Sequence, residues 1–372
     1  MRFSIYETDK EGLAKFYQEI IAKNETYAPV EQFGKYDYKR VHALTECDPD
    51  SPVAMTMSLK PLFFPKSAKV VKYTATSAGT DITGKDEDPL SGKRVILGVK
   101  HCDARGLQVL DQVYKWDYVD SDWQKRRENT VIISTRCDKA DTQCFCTSLD
   151  YDVENSDAHD VRIIRGLNGK VYIQGITEKG EGLIKSSVLS PQSSSPGHPA
   201  SGIQHLASDS DAVEELKKQY KSFEASFRLK MNYKEVNEKL QKSFDSPGFE
   251  PASANCISCN TCAYICPTCH CFKISDEKIK DSGVRYKSYD SCNNIYFTLM
   301  AGGHNPRPVK YRRWRQRAMH KFVYYKERFG VNLCVGCGRC AIACPVNISI
   351  FEVVNQVSDS MQEFSNAAMQ EV

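Results

Sequence analysis

Residues 256–267 read CISCNTCAYICP, and residues 334–345 read CVGCGRCAIACP. Both stretches follow the spacing C-x2-C-x2-C-x3-C-P. Three cysteines at this spacing can wrap one 4Fe-4S cube from a tight loop. The fourth, which begins a helix, reaches the neighbouring cube in two-cluster ferredoxins. The repeat therefore predicts two 4Fe-4S clusters and a ferredoxin-like domain around them.

The expected ligation is crossed between the two copies of the motif. One cluster is assigned to Cys256, Cys259, Cys262 and Cys344, and the other to Cys334, Cys337, Cys340 and Cys266. If the long insert between the copies holds the loops apart, each cluster would instead take its ligands from its own run, or borrow Cys269 or Cys271. Zinc is the main alternative metal, but zinc sites use two C-x2-C pairs and need neither the third cysteine step nor the closing proline.

The insert between the two motifs predicts an enlarged, mainly α-helical domain. Apolar residues recur at helical spacing along one stretch of it, at Tyr311, Trp314, Ala318, Phe322 and Tyr325. The other face of that helix is basic, with Lys310, Arg312, Arg313, Arg315, Arg317 and Lys321. We interpret this face as solvated, offsetting anionic clusters or docking an acidic partner, and a nucleic-acid contact is the weaker alternative.

Composition restricts the class of protein. The 372 residues include 50 basic and 47 acidic side chains, a net charge of +3, which excludes a protein that covers phosphates with its whole surface. We find no run of eighteen apolar residues and no apolar segment of a secretory signal near Met1. We therefore expect a cytoplasmic protein without a membrane partner, in which sixteen cysteines indicate metal or redox chemistry rather than disulfides.

The chain is expected to contain two domains. Residues 1–185 are predicted to form an α/β (or α+β) domain, because helical spacing near the start alternates with short apolar strand candidates at 95–99 and 131–133. Residues 186–210 are rich in Ser, Pro and Gly and are predicted to form a flexible loop. Residues 211–357 form the helical two-cluster domain, and residues 358–372 are its tail.

Further thiols lie outside the two motifs. Cys269, His270 and Cys271 directly follow the first motif and Cys292 comes later in the insert; their default interpretation is packing around a cluster, with ligand exchange as the alternative. In the first domain, four cysteines follow two strand candidates whose ends lie side by side in α/β folds: Cys102, Cys137, Cys144 and Cys146. These four are a candidate third cluster or zinc site, and free core cysteines or a redox pair are the alternative.

The sequence contains no recognisable binding site for a nicotinamide or flavin cofactor. No G-x-G-x-x-G follows a predicted strand, and neither a Ser/His/Asp set nor H-E-x-x-H is present. Electrons are therefore expected to come from, and go to, sites on other chains.

With these residues identified, most of the chain resembles an iron–sulfur subunit family. That family contains the beta subunit of archaeal and bacterial sulfhydrogenases, which are cytoplasmic nickel–iron hydrogenases, and the corresponding iron–sulfur subunit of anaerobic sulfite reductase. The resemblance is carried by both cluster motifs and by residues 98–107 (GVKHCDARGL), 126–129 (RREN), 144–148 (CFCTS) and 300–307 (MAGGHNPR). His101 stands where the family commonly has proline.

The resemblance implies a subunit that is not itself the catalyst. It would relay single electrons between a flavoprotein that binds NAD(P)H and a catalytic metalloenzyme subunit of one multi-subunit oxidoreductase. Ferredoxin is a further expected partner for electron exchange. A stand-alone ferredoxin-like carrier is the second hypothesis. An iron–sulfur sensor associated with nucleic acid, resting on the basic helix, is the third.

Overall fold

The computed structural model describes residues 4–51, 55–84, 88–149, 158–166, 169–188, 202–206 and 210–370. The chain divides into two compact units. The first consists of Met1–Leu59, Ser91–Thr147 and Tyr151–Arg228. The second consists of Lys60–Leu90, Ser148–Asp150 and Leu229–Val372.

The strands, in chain order, are β1 Ile5–Thr8, β2 Glu25–Gln32, β3 Lys35–Val41, β4 Ser67–Thr76, β5 Gly79–Gly84, β6 Arg94–Val99, β7 Thr130–Thr135, β8 Val161–Arg165, β9 Val171–Gly175, β10 Gln204–Leu206, β11 Phe272–Ile279 and β12 Ser282–Tyr289. The helices are α1 Lys10–Lys23, α2 Lys60–Phe63, α3 His101–Lys115, α4 Ser121–Glu128, α5 Glu178–Val188, α6 Ser210–Ala225, α7 Tyr233–Gln241, α8 Phe249–Ala252, α9 Thr261–Tyr264, α10 Lys310–Met319, α11 Tyr325–Phe329, α12 Arg339–Ile342 and α13 Ile350–Gln370. A π-helical segment, His320–Tyr324, joins α10 to α11.

The first unit is built on an eight-stranded mixed sheet in the order β10-β1-β9-β8-β7-β6-β2-β3. Strands β2, β6, β7 and β8 are parallel neighbours, and the other pairs are antiparallel. The predicted combination of sheet and helix in the N-terminal region is confirmed. The two predicted strands at 95–99 and 131–133 lie within β6 and β7, side by side, so their carboxyl ends meet at one edge of the sheet.

Helix α1 shows why the apolar spacing near the start of the chain reads as helical. The Asp9 carboxylate accepts a hydrogen bond from the backbone N–H of Gly12 at 2.8 Å and so caps the first turn. The apolar residues at helical spacing are all buried: Leu13, Phe16, Tyr17, Ile20 and Ile21. They belong to one hydrophobic core with Val95, Leu97 and Ile133 of the sheet.

The second unit contains a four-stranded antiparallel sheet in the order β11-β12-β4-β5 as well as helices. The hairpin of β11 and β12 is absent from the sequence-based prediction of this region, which is helical. Pairing of β4 with β12 places residues 60–90 in the second unit, and α6 is grouped with the first unit. The division therefore differs from a linear boundary near residue 185, because strand pairing joins segments that are distant in the sequence.

Two predicted features lie at the margins of the described residues. Most of the 186–210 loop lies outside them; at its described ends, α5 continues to Val188 and β10 pairs with β1. In the predicted tail, α13 continues to Gln370. Val353, Val354 and Val357 are buried at helical spacing, which stabilises the first half of this helix.

Gly98 in β6 provides a test of close packing in the first unit. Its φ is +67°, and a Cβ atom there would lie 2.4 Å from the Pro49 carbonyl oxygen and 2.9 Å from Pro29 Cγ. Gly34 has a similar φ of +74°, but nothing lies within 4 Å of its Cβ position. The two glycines therefore share the left-handed backbone and differ in the space around it.

We expect Gly98→Ala to lower the free energy of unfolding of the first unit by about 3 kcal/mol, since it adds a steric clash to backbone strain. The control Gly34→Ala adds strain alone and should cost about 1 kcal/mol. Urea titration followed by far-UV circular dichroism measures both. Equal losses for the two variants would contradict the close approach at Gly98.

Candidate metal centre

The first cysteine motif folds as a loop that leads into a short helix. Ser258 and Asn260 both have left-handed backbone conformations, with φ of 58° and 65°. The first of these turns directs the backbone N–H of Ser258 to Cys256 Sγ, at 3.3 Å. Helix α9 then begins at Thr261 and ends at Tyr264. The expectation that the fourth cysteine begins a helix is wrong, because Cys266 is buried just beyond the end of α9.

The second motif repeats this backbone. Gly336 and Gly338 occupy the positions equivalent to Ser258 and Asn260, and their φ values are 63° and 70°. The backbone N–H of Gly336 bonds to Cys334, as Ser258 does to Cys256 in the first copy. Helix α12 follows, and it packs against α9. The internal repeat seen in the sequence is therefore also a structural repeat.

The fourth cysteine of the first motif lies near the thiols of the second. Burial, with a smaller contribution from neighbouring thiols that include Cys266, raises the pKa of Cys334 to about 11 and that of Cys340 to about 12. Cys262, by contrast, interacts with Cys256 of its own run and with Cys292. This is the proximity that a crossed role for Cys266 requires.

Three buried cations surround the sulfur atoms at the end of the first motif. Lys321 Nζ lies 3.3 Å from Cys266 Sγ, and Arg317 Nη1 lies 3.4 Å from Cys269 Sγ. Lys60 Nζ donates to the carbonyl oxygens of Ala263 and Cys269, at 3.2 and 3.0 Å. All three side chains are at most 2% exposed. No carboxylate among the described residues pairs with any of them, which leaves sulfur as the available source of negative charge.

These cations favour the ionised form of the nearest thiol. A hydrogen bond from the Cys269 thiol, together with the charges of Lys321, Arg317 and Lys60, holds the pKa of Cys266 well below its ordinary value despite burial. Buried positive charge is costly unless a negative group compensates it. Thiolates bound to iron meet that need and neutral thiols do not.

The residues present fit anionic iron–sulfur centres. Arg317 Nε is buried without a hydrogen-bond partner among the described residues, so this cation still has a donor to offer. The thiolates themselves are the ligands that iron–sulfur clusters require. As the side chains stand, no three His, Cys, Asp or Glu residues within the described ranges form a ready cage for a single metal ion. The eight motif cysteines therefore remain predicted ligands.

The extra thiols of the second unit form two hydrogen-bonded pairs. Cys269 bonds to Cys266, and Cys271 bonds to Cys292. His270 is packed edge to face with His320, with ring centroids 5.4 Å apart. The default interpretation, packing around a cluster, is compatible with these contacts and stays a prediction.

The four cysteines of the first unit are only partly brought together. Cys137, Cys144 and Cys146 pack with Phe223 and Phe227 in one apolar cluster. Cys102 is buried in α3, which starts at the carboxyl end of β6, and it lies outside that cluster. A third cluster or zinc site at these thiols also remains a prediction.

The structure corrects the interpretation of the basic helix and adds residues that sequence reasoning missed. Arg313, Arg317 and Lys321 are buried, not solvated. Lys60 precedes Ala263 of the first motif by 203 positions, so no local sequence pattern predicts that it lies at the site. Asn293 Nδ2 lies 3.6 Å from Cys262 Sγ. Its position directly after Cys292 is the one feature of the sequence that points to a place near the metal centre.

Comparison with known proteins agrees with this site. Residues 255–348 match the family described as a 4Fe-4S dicluster domain, so the second unit contains a dicluster domain. The whole chain is similar to sulfhydrogenase 2 subunit beta of Pyrococcus furiosus, with 28% identity over 358 residues that cover 94% of this chain and 97% of that protein. This similarity confirms the resemblance to the sulfhydrogenase beta-like iron–sulfur subunit family. No solved structure matches the chain.

Within the part of the chain that the structure describes, helices are either too short or too polar to cross a lipid bilayer.

Lys321→Met tests whether the buried cations act on the metal centres. Loss of a positive charge 3.3 Å from Cys266 Sγ should shift the midpoint potential of the cluster that uses Cys266 to a more negative value, on the order of 100 mV. The control is Lys326→Met, because Lys326 Nζ lies over the Tyr233 ring instead. Redox titration followed by electron paramagnetic resonance measures both shifts. Similar shifts in the two variants would refute a specific role for Lys321.

Proposed function

We propose that this chain is the iron–sulfur electron-transfer subunit of a cytoplasmic multi-subunit oxidoreductase of the hydrogenase, sulfur-reductase or sulfite-reductase type. It relays single electrons between a flavoprotein that binds NAD(P)H and a catalytic metalloenzyme subunit. The chain performs no substrate chemistry of its own in this proposal.

The observation that carries the proposal is the structural repeat of two cysteine loops around buried cations. When bound, 4Fe-4S clusters take up and release one electron at a time. Lys60, Arg317 and Lys321 supply positive charge where electrons add negative charge, and their burial keeps that charge unscreened by solvent. Similarity to a sulfhydrogenase beta subunit supports the same role.

We propose crossed ligation at the two clusters. Cys256, Cys259, Cys262 and Cys344 hold one, and Cys334, Cys337, Cys340 and Cys266 hold the other. Proximity of Cys266 to Cys334 and Cys340 supports the second set. Packing of α9 against α12 brings the two halves of the repeat together and supports the first.

We also propose a third metal site, a 4Fe-4S cluster or zinc, at Cys102, Cys137, Cys144 and Cys146. Its support is that three of these thiols share one cluster of side chains and that all four follow the carboxyl ends of adjacent parallel strands. Parallel strand ends are a frequent position for binding sites in α/β folds.

Serine substitutions test the crossed assignment. Cys259→Ser and Cys337→Ser first identify the paramagnetic signal of each cluster, because each removes a ligand from the middle of one run. The Cys266→Ser spectrum should then resemble that of Cys337→Ser, and the Cys344→Ser spectrum that of Cys259→Ser, since serine is a poorer ligand for iron.

The wild-type protein gives the baseline for these variants, with about eight irons per chain, or about twelve if the first unit holds a third cluster. Four or fewer after anaerobic reconstitution would contradict the paired clusters. If each fourth-cysteine variant alters the signal of its own run, ligation is not crossed, and the relay function stands.

Purification from the native host tests the relay. We expect a flavoprotein and a catalytic metalloenzyme subunit to co-purify. Addition of NAD(P)H to the complex should reduce the iron–sulfur clusters of this chain, which is observed as a change in their spectroscopic signals. Recovery of a solitary monomer that is fully active would favour the stand-alone carrier. Salt-dependent duplex binding at physiological ionic strength would favour the nucleic-acid sensor.

A further inference from the structure

Residues 291–309 form a loop that lies against the first cysteine motif. Asn293, near its start, donates to Cys262 Sγ at 3.6 Å. Arg313 of α10 joins the end of the loop to the motif. Its Nη1 donates to the carbonyl oxygens of Arg307 and Pro308, and its Nη2 donates to Ser258 Oγ. The loop and the motif therefore present one continuous surface, which we call the loop face and define as residues 254–262 and 291–309.

The loop is held in one conformation by the side chain of Asn305. Its Oδ1 accepts hydrogen bonds from Thr298 Oγ1 at 2.8 Å and from the backbone N–H of Arg307 at 3.0 Å. Its Nδ2 donates to the Ile295 carbonyl at 2.7 Å. The loop is thus ordered by its own hydrogen bonds, and its apolar side chains do not collapse onto a core.

Several large apolar side chains on this face are exposed. The exposed fractions are 61% for Ile257, 43% for Ile295, 72% for Tyr296, 46% for Leu299 and 55% for Met300. The equivalent of Ile257 in the second motif is Val335, which is only 6% exposed. Several exposed apolar groups on one hydrogen-bonded loop are typical of a protein contact.

The charge around this face has one sign. The loop face itself contains no Asp or Glu and one cation, Arg307, and Lys310 Nζ donates to the Ala254 carbonyl oxygen at its edge, at 2.7 Å. Arg312 beside it is exposed, whereas Arg313 and Arg317 further along the helix are buried. Exposed cations beside a surface that has no acidic groups attract an acidic partner and steer its approach. The guanidinium groups of Arg313 and Arg317 bond inward, however, which does not suit contacts to a phosphate backbone.

We propose that the loop face docks an acidic protein that carries a redox centre at its surface. Electrons then enter or leave this chain through the centre held by the first motif. The proposal rests on the electron-relay function above and adds which of the two motifs exchanges electrons with that partner. Cys259 is exposed and its equivalent Cys337 is buried, so the first motif offers the shorter path to a docked partner.

A pair of charged substitutions at Met300 tests the proposal. Both Met300→Glu and Met300→Lys remove the apolar side chain, but only Glu repels an acidic partner. A small acidic ferredoxin serves as the probe, and anaerobic stopped-flow absorbance follows its reduction of the full-length, cluster-loaded chain. Ile279→Glu, at an 81% exposed position at the far end of β11, is the matched control.

We expect Met300→Glu to lower the second-order rate about tenfold, Met300→Lys by no more than about threefold, and Ile279→Glu by less than about twofold. Raising salt from about 0.05 M to about 0.5 M should shrink the difference between the Glu and Lys variants. Equal rates for Met300→Glu and Ile279→Glu would overturn the proposal, as would a wild-type chain that the ferredoxin cannot reduce. Competition of duplex DNA with the ferredoxin would reassign the face to nucleic acid.

Dithionite separates this test from the relay function, because it reduces the clusters without docking. If dithionite reduces the wild type and every variant alike while the ferredoxin rates do not differ, the docking face is wrong and the relay stands. If dithionite produces no iron–sulfur signal in the wild type, the relay function itself fails.

Discussion

Three buried cations, Lys60, Arg317 and Lys321, determine much of what the second unit can do. Each has a desolvation cost that hydrogen bonds to neutral groups offset only in part, and no carboxylate within the described residues neutralises them. Anionic sulfur is the remaining partner, and we therefore expect cluster binding to stabilise the folded state of this unit. Without a cluster, the Cys266 thiolate that these cations favour is one negative charge beside three positive ones.

The path of the chain follows from the same requirement. Residues 60–90 belong to the second unit although residues of the first unit precede and follow them in the sequence. Their strands β4 and β5 share one sheet with β11 and β12, and Lys60, just before them, bonds to the carbonyl oxygens of Cys269 and Ala263. Lys60 Nζ lies 4.5 Å from the centroid of the Tyr289 ring, at the end of β12, and this cation–π contact stabilises its charge. An early segment of the sequence thus contributes both strands and charge to the unit that carries the late cysteine motifs.

Local patterns in the sequence were sufficient for some features and insufficient for others. The cysteine spacing, α1 and the adjacent strands β6 and β7 depend on residues close together in the chain, so periodicity and spacing identify them. The β4–β12 pairing and the position of Lys60 depend on contacts between distant residues, which no local pattern records. On the basic helix four of the five residues of the predicted apolar stripe are buried, at Trp314, Ala318, Phe322 and Tyr325. Arg317 and Lys321 are turned toward the sulfur atoms of Cys269 and Cys266, which apolar spacing alone does not predict.

The two motifs are equal in ligands and unequal in surroundings. Positions two and four after the first cysteine are left-handed in both copies, which fixes the same loop shape twice. Glycine provides that conformation without strain in the second copy, whereas Ser258 and Asn260 adopt it in the first with side chains that can contact neighbours. Because hydrogen bonds, charge and exposure set cluster potentials, identical loops with different exposure and different numbers of nearby cations need not hold electrons equally well. The two loops thus share one backbone shape and differ in the factors that tune a bound cluster, so clusters held in them would differ in solvent exposure and in the positive charge nearby.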